Sequence, residues 1–178
     1  MFQHVRPVIG PYPRNPAVCH EYDPRAGQVA REIATLICEH LPQLVVEHVG
    51  STSVSGCAGR GIVDLMIPIS EQQAEPVQAL LEQLGFQHQQ HPDPFPEERP
   101  MRVGAWEYEG TLFRVHVHVI PKSSPEVDEM RFFRTCLQSD PELLKLYVAR
   151  KRAIVEAGTT DPVAYGQAKS EFIKESFG

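Results

Sequence analysis

The placement of proline constrains this chain more than any other feature. Sixteen prolines stand among 178 residues, against 12 glycines, nearly twice the ordinary share of ~5%. Each proline fixes φ and removes a backbone donor, so none sits easily inside a helix or a central strand. Pro7, Pro11, Pro13 and Pro16 exclude a long helix from the N-terminal arm and leave residues 4–9 as a short edge strand. Asp23 with Pro24, Asp140 with Pro141 and Asp161 with Pro162 each pair a capping carboxylate with proline at a first helical position. Four further prolines make residues 88–100 a surface loop.

Between these marks the hydrophobic pattern assigns the elements. Ala26, Val29, Ala30, Ile33, Ile37 and Leu41 recur at helical spacing up to Pro42, and Ala74, Val77, Leu80, Leu81 and Leu84 do so up to Gly85. Residues 44–49 and 62–69 read as strands around a loop over 50–61, and residues 101–108 and 111–120 as a hairpin turning at Glu109 and Gly110. Along the last of these strands Arg114, His116, His118 and Ile120 share one face, and three valines share the other. Ser123 and Glu126 have capping-box spacing, and everything beyond is helical. The expected fold class is α+β: a mixed sheet flanked by helices over residues 1–122, with a helical C-terminal part over 123–178 in the same domain.

Charge and composition narrow the function. A net charge of −6 argues against a general nucleic-acid partner. No apolar run is long enough to span a bilayer, so no membrane partner is expected. The cysteines form no metal-binding or redox pair, which points to reduced thiols in the cytoplasm. Cys38 and Cys136 are expected to be buried, and Cys57, in a glycine-rich loop, to be exposed.

The most informative segment is the loop between the first two strands. Gly50 and Ser51 form a turn whose free N–H groups can approach an anion, and Ser51, Thr52 and Ser53 add hydroxyls. Asp64 follows on the next strand, placed to hold a divalent metal beside a phosphate. No Gly-Lys-Ser/Thr follows the loop, so it is not a P-loop, and a strand rather than a helix comes next, unlike the dinucleotide fingerprint. His116 and His118, two apart on one face, can reach one cleft as metal ligands or acid–base groups. Arg114 can clamp a phosphate, and Arg60 adds a second cation. His48 is expected to support the loop. The run Arg150, Lys151 and Arg152 reads as a solvated helix face.

The string HVGSTSVSGCAGRGIVD (residues 48–64), followed by RVHVH (114–118), FFRTCL (132–137), Pro141, Glu142, Leu143, Tyr147, Lys151 and YGQAKSEFI (165–173), resembles the GrpB family over nearly the whole chain from about Glu21. Ser55, Cys57, Arg60 and Gly61 stand where that family usually has Pro, Leu, Lys and Pro, which implies a more mobile loop. The family is similar to nucleotidyltransferases of the polymerase-β-like fold. That resemblance implies a nucleotide or phosphorylated small molecule held at Gly50, Ser51, Thr52 and Ser53, with Arg60, Arg114 and Lys169 as further phosphate contacts. It also implies catalysis and metal ligation by Asp64 with His116 and His118. The second carboxylate of the superfamily is replaced by Met66, and the third by a histidine. A site of one aspartate and one or two imidazoles suits a transition metal better than Mg²⁺. Three functions follow: a nucleotidyltransferase-like enzyme with a degenerate metal site, a non-catalytic nucleotide or phospho-ligand binder, and a folding-accessory interaction module.

Overall fold

The computed structural model describes residues 5–91 and 93–177. Five strands, β1 (Glu47–Val49), β2 (Val63–Ile69), β3 (Gln87–His88), β4 (Met101–Tyr108) and β5 (Thr111–Pro121), form one sheet in the order β1-β2-β5-β4-β3. β2 and β5 run parallel and the other pairs antiparallel, so the sheet is mixed. Among the described residues five α-helices accompany it: α1 (Ala26–His40), α2 (Ala74–Leu84), α3 (Pro125–Ser139), α4 (Pro141–Glu156) and α5 (Pro162–Phe177).

The period-2 alternation of β2 and β5 sorts their side chains onto two unlike faces. Val63, Leu65, Ile67 and Ile69 of β2 and Val115, Val117 and Val119 of β5 pack against Val29, Ile33 and Ile37 of α1 and Leu80, Leu81 and Leu84 of α2. The opposite face carries Asp64 and Met66 on β2 and Arg114, His116, His118 and Ile120 on β5. One end of that face is dry: Met66 and Ile120 pack with Val49 and with Val127 of α3. The polar residues beyond this cluster are only partly covered and line a cleft between the sheet and the C-terminal helices.

Those helices hold to the core through the glycine-rich loop. Val54 and Cys57 are buried with Leu137 of α3 and Tyr147 of α4, and Phe133 and Phe172 pack against the group. Cys57 is therefore buried, not exposed, because it serves the loop as a small apolar anchor; Cys38 and Cys136 are only partly buried. Val54, Cys57 and Ala58 of the loop are all buried. The arm is tied down as well, since Ala17 packs with Ile154 and Tyr165 and the backbones of His20 and Gly59 bond in both directions.

Several boundaries differ from the pattern. α1 starts at Ala26 rather than Pro24, because Asp23 Oδ1 accepts the backbone N–H of Arg25 at 2.9 Å and its carboxylate binds the same residue's guanidinium. Asp23 thus builds the preceding turn. α3 is capped by Ser124, whose hydroxyl accepts from the backbone N–H of Glu126, rather than by Ser123. β1 has three residues rather than six, as Val45 is turned outward and exposed. The edge strand expected over residues 4–9 begins outside the described residues, at His4; the described part forms no strand, and Gly10 makes an isolated bridge to Ala105. Glu109 and Gly110 both have positive φ, 48° and 73°, the primed turn that suits a two-residue hairpin.

Candidate active site

Gly50 follows β1 with φ 71° and ψ −171°, a conformation essentially restricted to glycine. A Cβ there would lie 2.6 Å from Asp64 Oδ2, so the missing side chain lets the turn close over the carboxylate. Ser51–Ser53 then form a single 3-10 turn. Its three hydroxyls have different fates. Thr52 is buried, donating to the Ile62 carbonyl at 3.0 Å and meeting His48 Nε2 at 2.9 Å, so His48 supports the loop as expected. Ser53 donates to the Gly50 carbonyl at 2.6 Å. Ser51 lines the cleft, and its hydroxyl accepts from Lys151 Nζ at 3.3 Å.

Asp64 stands opposite Val49 on one side and His116 on the other. Its Oδ1 lies 3.1 Å from His118 Nε2 and 3.5 Å from His116 Nδ1. Burial raises the pKa of Asp64, but hydrogen bonds from both histidines outweigh it and hold the carboxyl well below its usual range. Burial also pushes His116 down, with Asp64 opposing. On its far side His116 Nε2 meets the Tyr12 hydroxyl at 2.8 Å; burial raises the pKa of that phenol, with the Arg114 charge opposing. His118 Nδ1 meets Arg99 at 3.1 Å. Arg99 is in turn paired with Glu126 and lies over the Phe95 ring at 4.0 Å.

A second group of side chains is cationic. Lys151 is fully buried on α4, correcting the expectation that the Arg150–Arg152 run is all solvated: one residue in the run points inward because of the helical period. Its Nζ lies 3.3 Å from Ser51 Oγ, 3.2 Å from Cys57 Sγ and 4.2 Å from the centre of the Tyr147 ring. Among the described residues no carboxylate pairs with it, and burial lowers its pKa. Lys169 on α5 lines the same cleft without an ion pair among the described residues. Burial, with Arg60 adding repulsion, pushes it down to about 8. Arg60 lies over the Tyr165 ring at 5.0 Å, and Arg114 donates to the Arg60 carbonyl at 2.6 Å.

These groups border two connecting cavities. The larger, about 1640 Å³, reaches Gly50, Ser51, Asp64, His116 and His118. The smaller, about 420 Å³, lies between the N-terminal arm and the loop. Ser51, Arg60, Asp64, Arg114 and Lys169 line both. The structure thus brings Gly50, Ser51, Asp64, Arg60, Arg114, His116, His118 and Lys169 to one place, while the hydroxyls of Thr52 and Ser53 are engaged within the loop.

The donor atoms of Asp64, His116 and His118 lie within 4.8 Å of one another, and a carboxylate with two imidazoles is a donor set of the kind that transition-metal ions prefer. Two Mg²⁺ ions do not fit. Met66 is packed into an apolar cluster, and Glu47, opposite it on β1, is bound by Arg131 and Arg134 of α3. Sequence reasoning missed Tyr12, Arg99 and the role of Lys151. Only Lys151 left a trace, as part of the family-like string; the other two come from an arm and a loop with no periodicity.

Comparison with known proteins bears on the family and the fold. UPF0157 protein PA4798 of Pseudomonas aeruginosa is 33% identical over 140 residues, covering 78% of this chain and 56% of its own length. UPF0157 protein SCO7215 of Streptomyces coelicolor is 34% identical over 130 residues, covering 72% and 64%. This chain therefore spans less than two thirds of either relative. Among solved structures, the conserved protein GrpB from Enterococcus faecalis superposes with a TM-score of 0.67 at 22% identity, over 90% of this chain and 100% of that one. Cid1 in complex with its short product ApU superposes with a TM-score of 0.51 at 14% identity, over 74% and 41%. These likenesses show the fold, which is nucleotidyltransferase-like. The profile of the GrpB protein family matches residues 16–177, and the chain belongs to that family.

Proposed function

We propose that this protein binds a nucleotide or a similar phosphorylated small molecule, with the phosphates against the Gly50–Ser51 turn. The observation that carries this reading is Lys151: a buried ammonium 3.3 Å from Ser51 Oγ, without a carboxylate partner among the described residues. Burial lowers the pKa of Lys151; Cys57 and the Tyr147 ring support its charge only in part, and an anionic ligand at Ser51 would complete that compensation. Lys169, Arg60 and Arg114 extend the same positive lining. The likeness of fold to Cid1, whose structures include one with Mg 3′-dATP bound, agrees with a nucleotide. Residues 1–122 would supply the turn and the carboxylate, and residues 123–178 the two lysines, as one functional unit. The four unpaired cysteines suit a cytoplasmic setting.

Catalysis is the second reading, favoured by the convergence of Asp64, His116 and His118. A bound metal would stabilise negative charge on a transferred phosphoryl group. His116, joined to Tyr12, would hold or pass a proton. The open cleft around Gly50 gives no support to a pure interaction module.

The test is a thermal-shift panel of nucleotides with and without Mg²⁺, Mn²⁺ and Zn²⁺. Stabilisation by a nucleotide that is lost in Lys151→Met and in Ser51→Ala is expected. No response to any nucleotide would overturn the reading. Radiolabel transfer from a nucleoside triphosphate, lost in Asp64→Asn, then distinguishes an enzyme from a binder.

A further inference from the structure

The contact between Arg99 and His118 has a chemical consequence for the metal site. A guanidinium only donates hydrogen bonds. With Arg99 Nη1 3.1 Å from His118 Nδ1, that ring nitrogen must accept, and the single ring proton sits on Nε2. There it points at Asp64 Oδ1, 3.1 Å away. Nε2 is also the nitrogen that a metal on Asp64 and His116 would need. Ligating histidines ordinarily donate their other N–H to an acceptor, which raises their basicity. Here the other nitrogen faces a donor, so metallation at Nε2 would set an Nδ1–H against the Arg99 N–H.

Arg99 is not free to turn away at no cost. Glu126, in the first turn of α3, binds it with both carboxylate oxygens. Phe95 lies under its plane and also meets the His118 ring edge-on at 6.1 Å. The segment behind it is anchored by the ion pair of Glu97 with buried Arg102 and by the Val119 N–H on the Pro100 carbonyl. The guanidinium is thus a fixed positive charge behind one of three candidate ligands.

We propose that Arg99 is a positioning residue that holds His118 as a hydrogen-bond donor to Asp64, so that a transition metal occupies Asp64, His116 and His118 only when Arg99 withdraws. With Arg99 in place the cluster is a hydrogen-bonded acid–base centre. With Arg99 displaced it becomes a metal centre. The proposal is independent of nucleotide binding, and its test contains no nucleotide.

Two measurements on the full chain decide it. Long-range ¹H–¹⁵N correlation on the wild type, with His118 assigned through His118→Asn, is expected to show the Nε2–H tautomer; an Nδ1–H tautomer overturns the proposal. Co²⁺ is then titrated at one fixed pH, read by visible absorption and calorimetry. Arg99→Met keeps the stem but removes the donor. It should bind Co²⁺ about 10- to 100-fold more tightly than wild type, the range that partners of ligating histidines commonly control, with the gain lost on adding His118→Ala. Arg99→Lys, which keeps a charged donor, should stay near wild type. If Arg99→Met is too unstable, Glu126→Gln, which retains Arg99 but loosens it, should give a smaller gain of the same sign. Equal Co²⁺ affinity in wild type and the loosened variants overturns the proposal.

Discussion

At the scale of single residues, Gly50 couples the loop to the acid. Its left-handed backbone and its 2.6 Å virtual contact with Asp64 leave no room for a methyl group. Gly50→Ala should cost roughly 1–3 kcal/mol in backbone strain, seen in urea unfolding. It should also displace Asp64, measured as loss of the nucleotide-dependent thermal shift. His48 makes a separate prediction. Burial lowers its pKa from 6.5 to about 4. The folded protein then resists protonation that the unfolded chain accepts. Its contribution to stability is complete above the unfolded value and is lost as pH falls from about 6.5 toward 4. Urea unfolding at pH 7 and pH 5 should show a smaller pH-dependent loss in His48→Gln than in wild type. The shared face of His116 and His118 was legible from the strand period alone, whereas Asp64 stood out through the family-like string that contains it. Tyr12 and Arg99 were not, because their contacts join positions 104 and 19 residues apart in the chain.

At the scale of elements, turn and cap chemistry carried most of the legible information. Asp140 caps α4 through the N–H groups of Glu142 and Leu143, both at 3.0 Å, as its place before Pro141 implies. Asp161 does the same for α5. Where the pattern and the structure part, a competing contact explains it: Asp23 turned to Arg25 and shifted the start of α1, and Ser124 rather than Ser123 met the Glu126 N–H. The β4–β5 turn holds a glutamate at φ 48°, unfavourable for a residue with a Cβ by about 1–2 kcal/mol. Asparagine tolerates that region better and is favoured before glycine in such turns. Glu109→Asn should therefore raise stability by roughly 0.5–1 kcal/mol, read as a higher urea midpoint with an unchanged slope.

At the scale of the whole molecule, arm, sheet, loop and C-terminal helices meet at one cleft whose cations come from all over the chain. Lys169 offers a global readout. Its pKa near 8 should rise when an anion binds beside it, so phosphate-ligand binding near pH 8 should take up protons and weaken as pH rises further. Calorimetry in two buffers of different ionisation enthalpy measures that uptake, and Lys169→Met should reduce it. The sequence by itself determined the α+β class, the capped helices, the Gly50–Ser51 turn and the face shared by His116 and His118, because these follow from local backbone preferences and from periods of two and 3.6 residues. Only the tertiary structure decided that Lys151 lies buried against Ser51, that Cys57 anchors the loop rather than facing solvent, and that Arg99 sets the proton of His118. Those outcomes depend on which long-range surfaces pack together, and burial and donor–acceptor matching between distant segments leave no periodic mark on the chain.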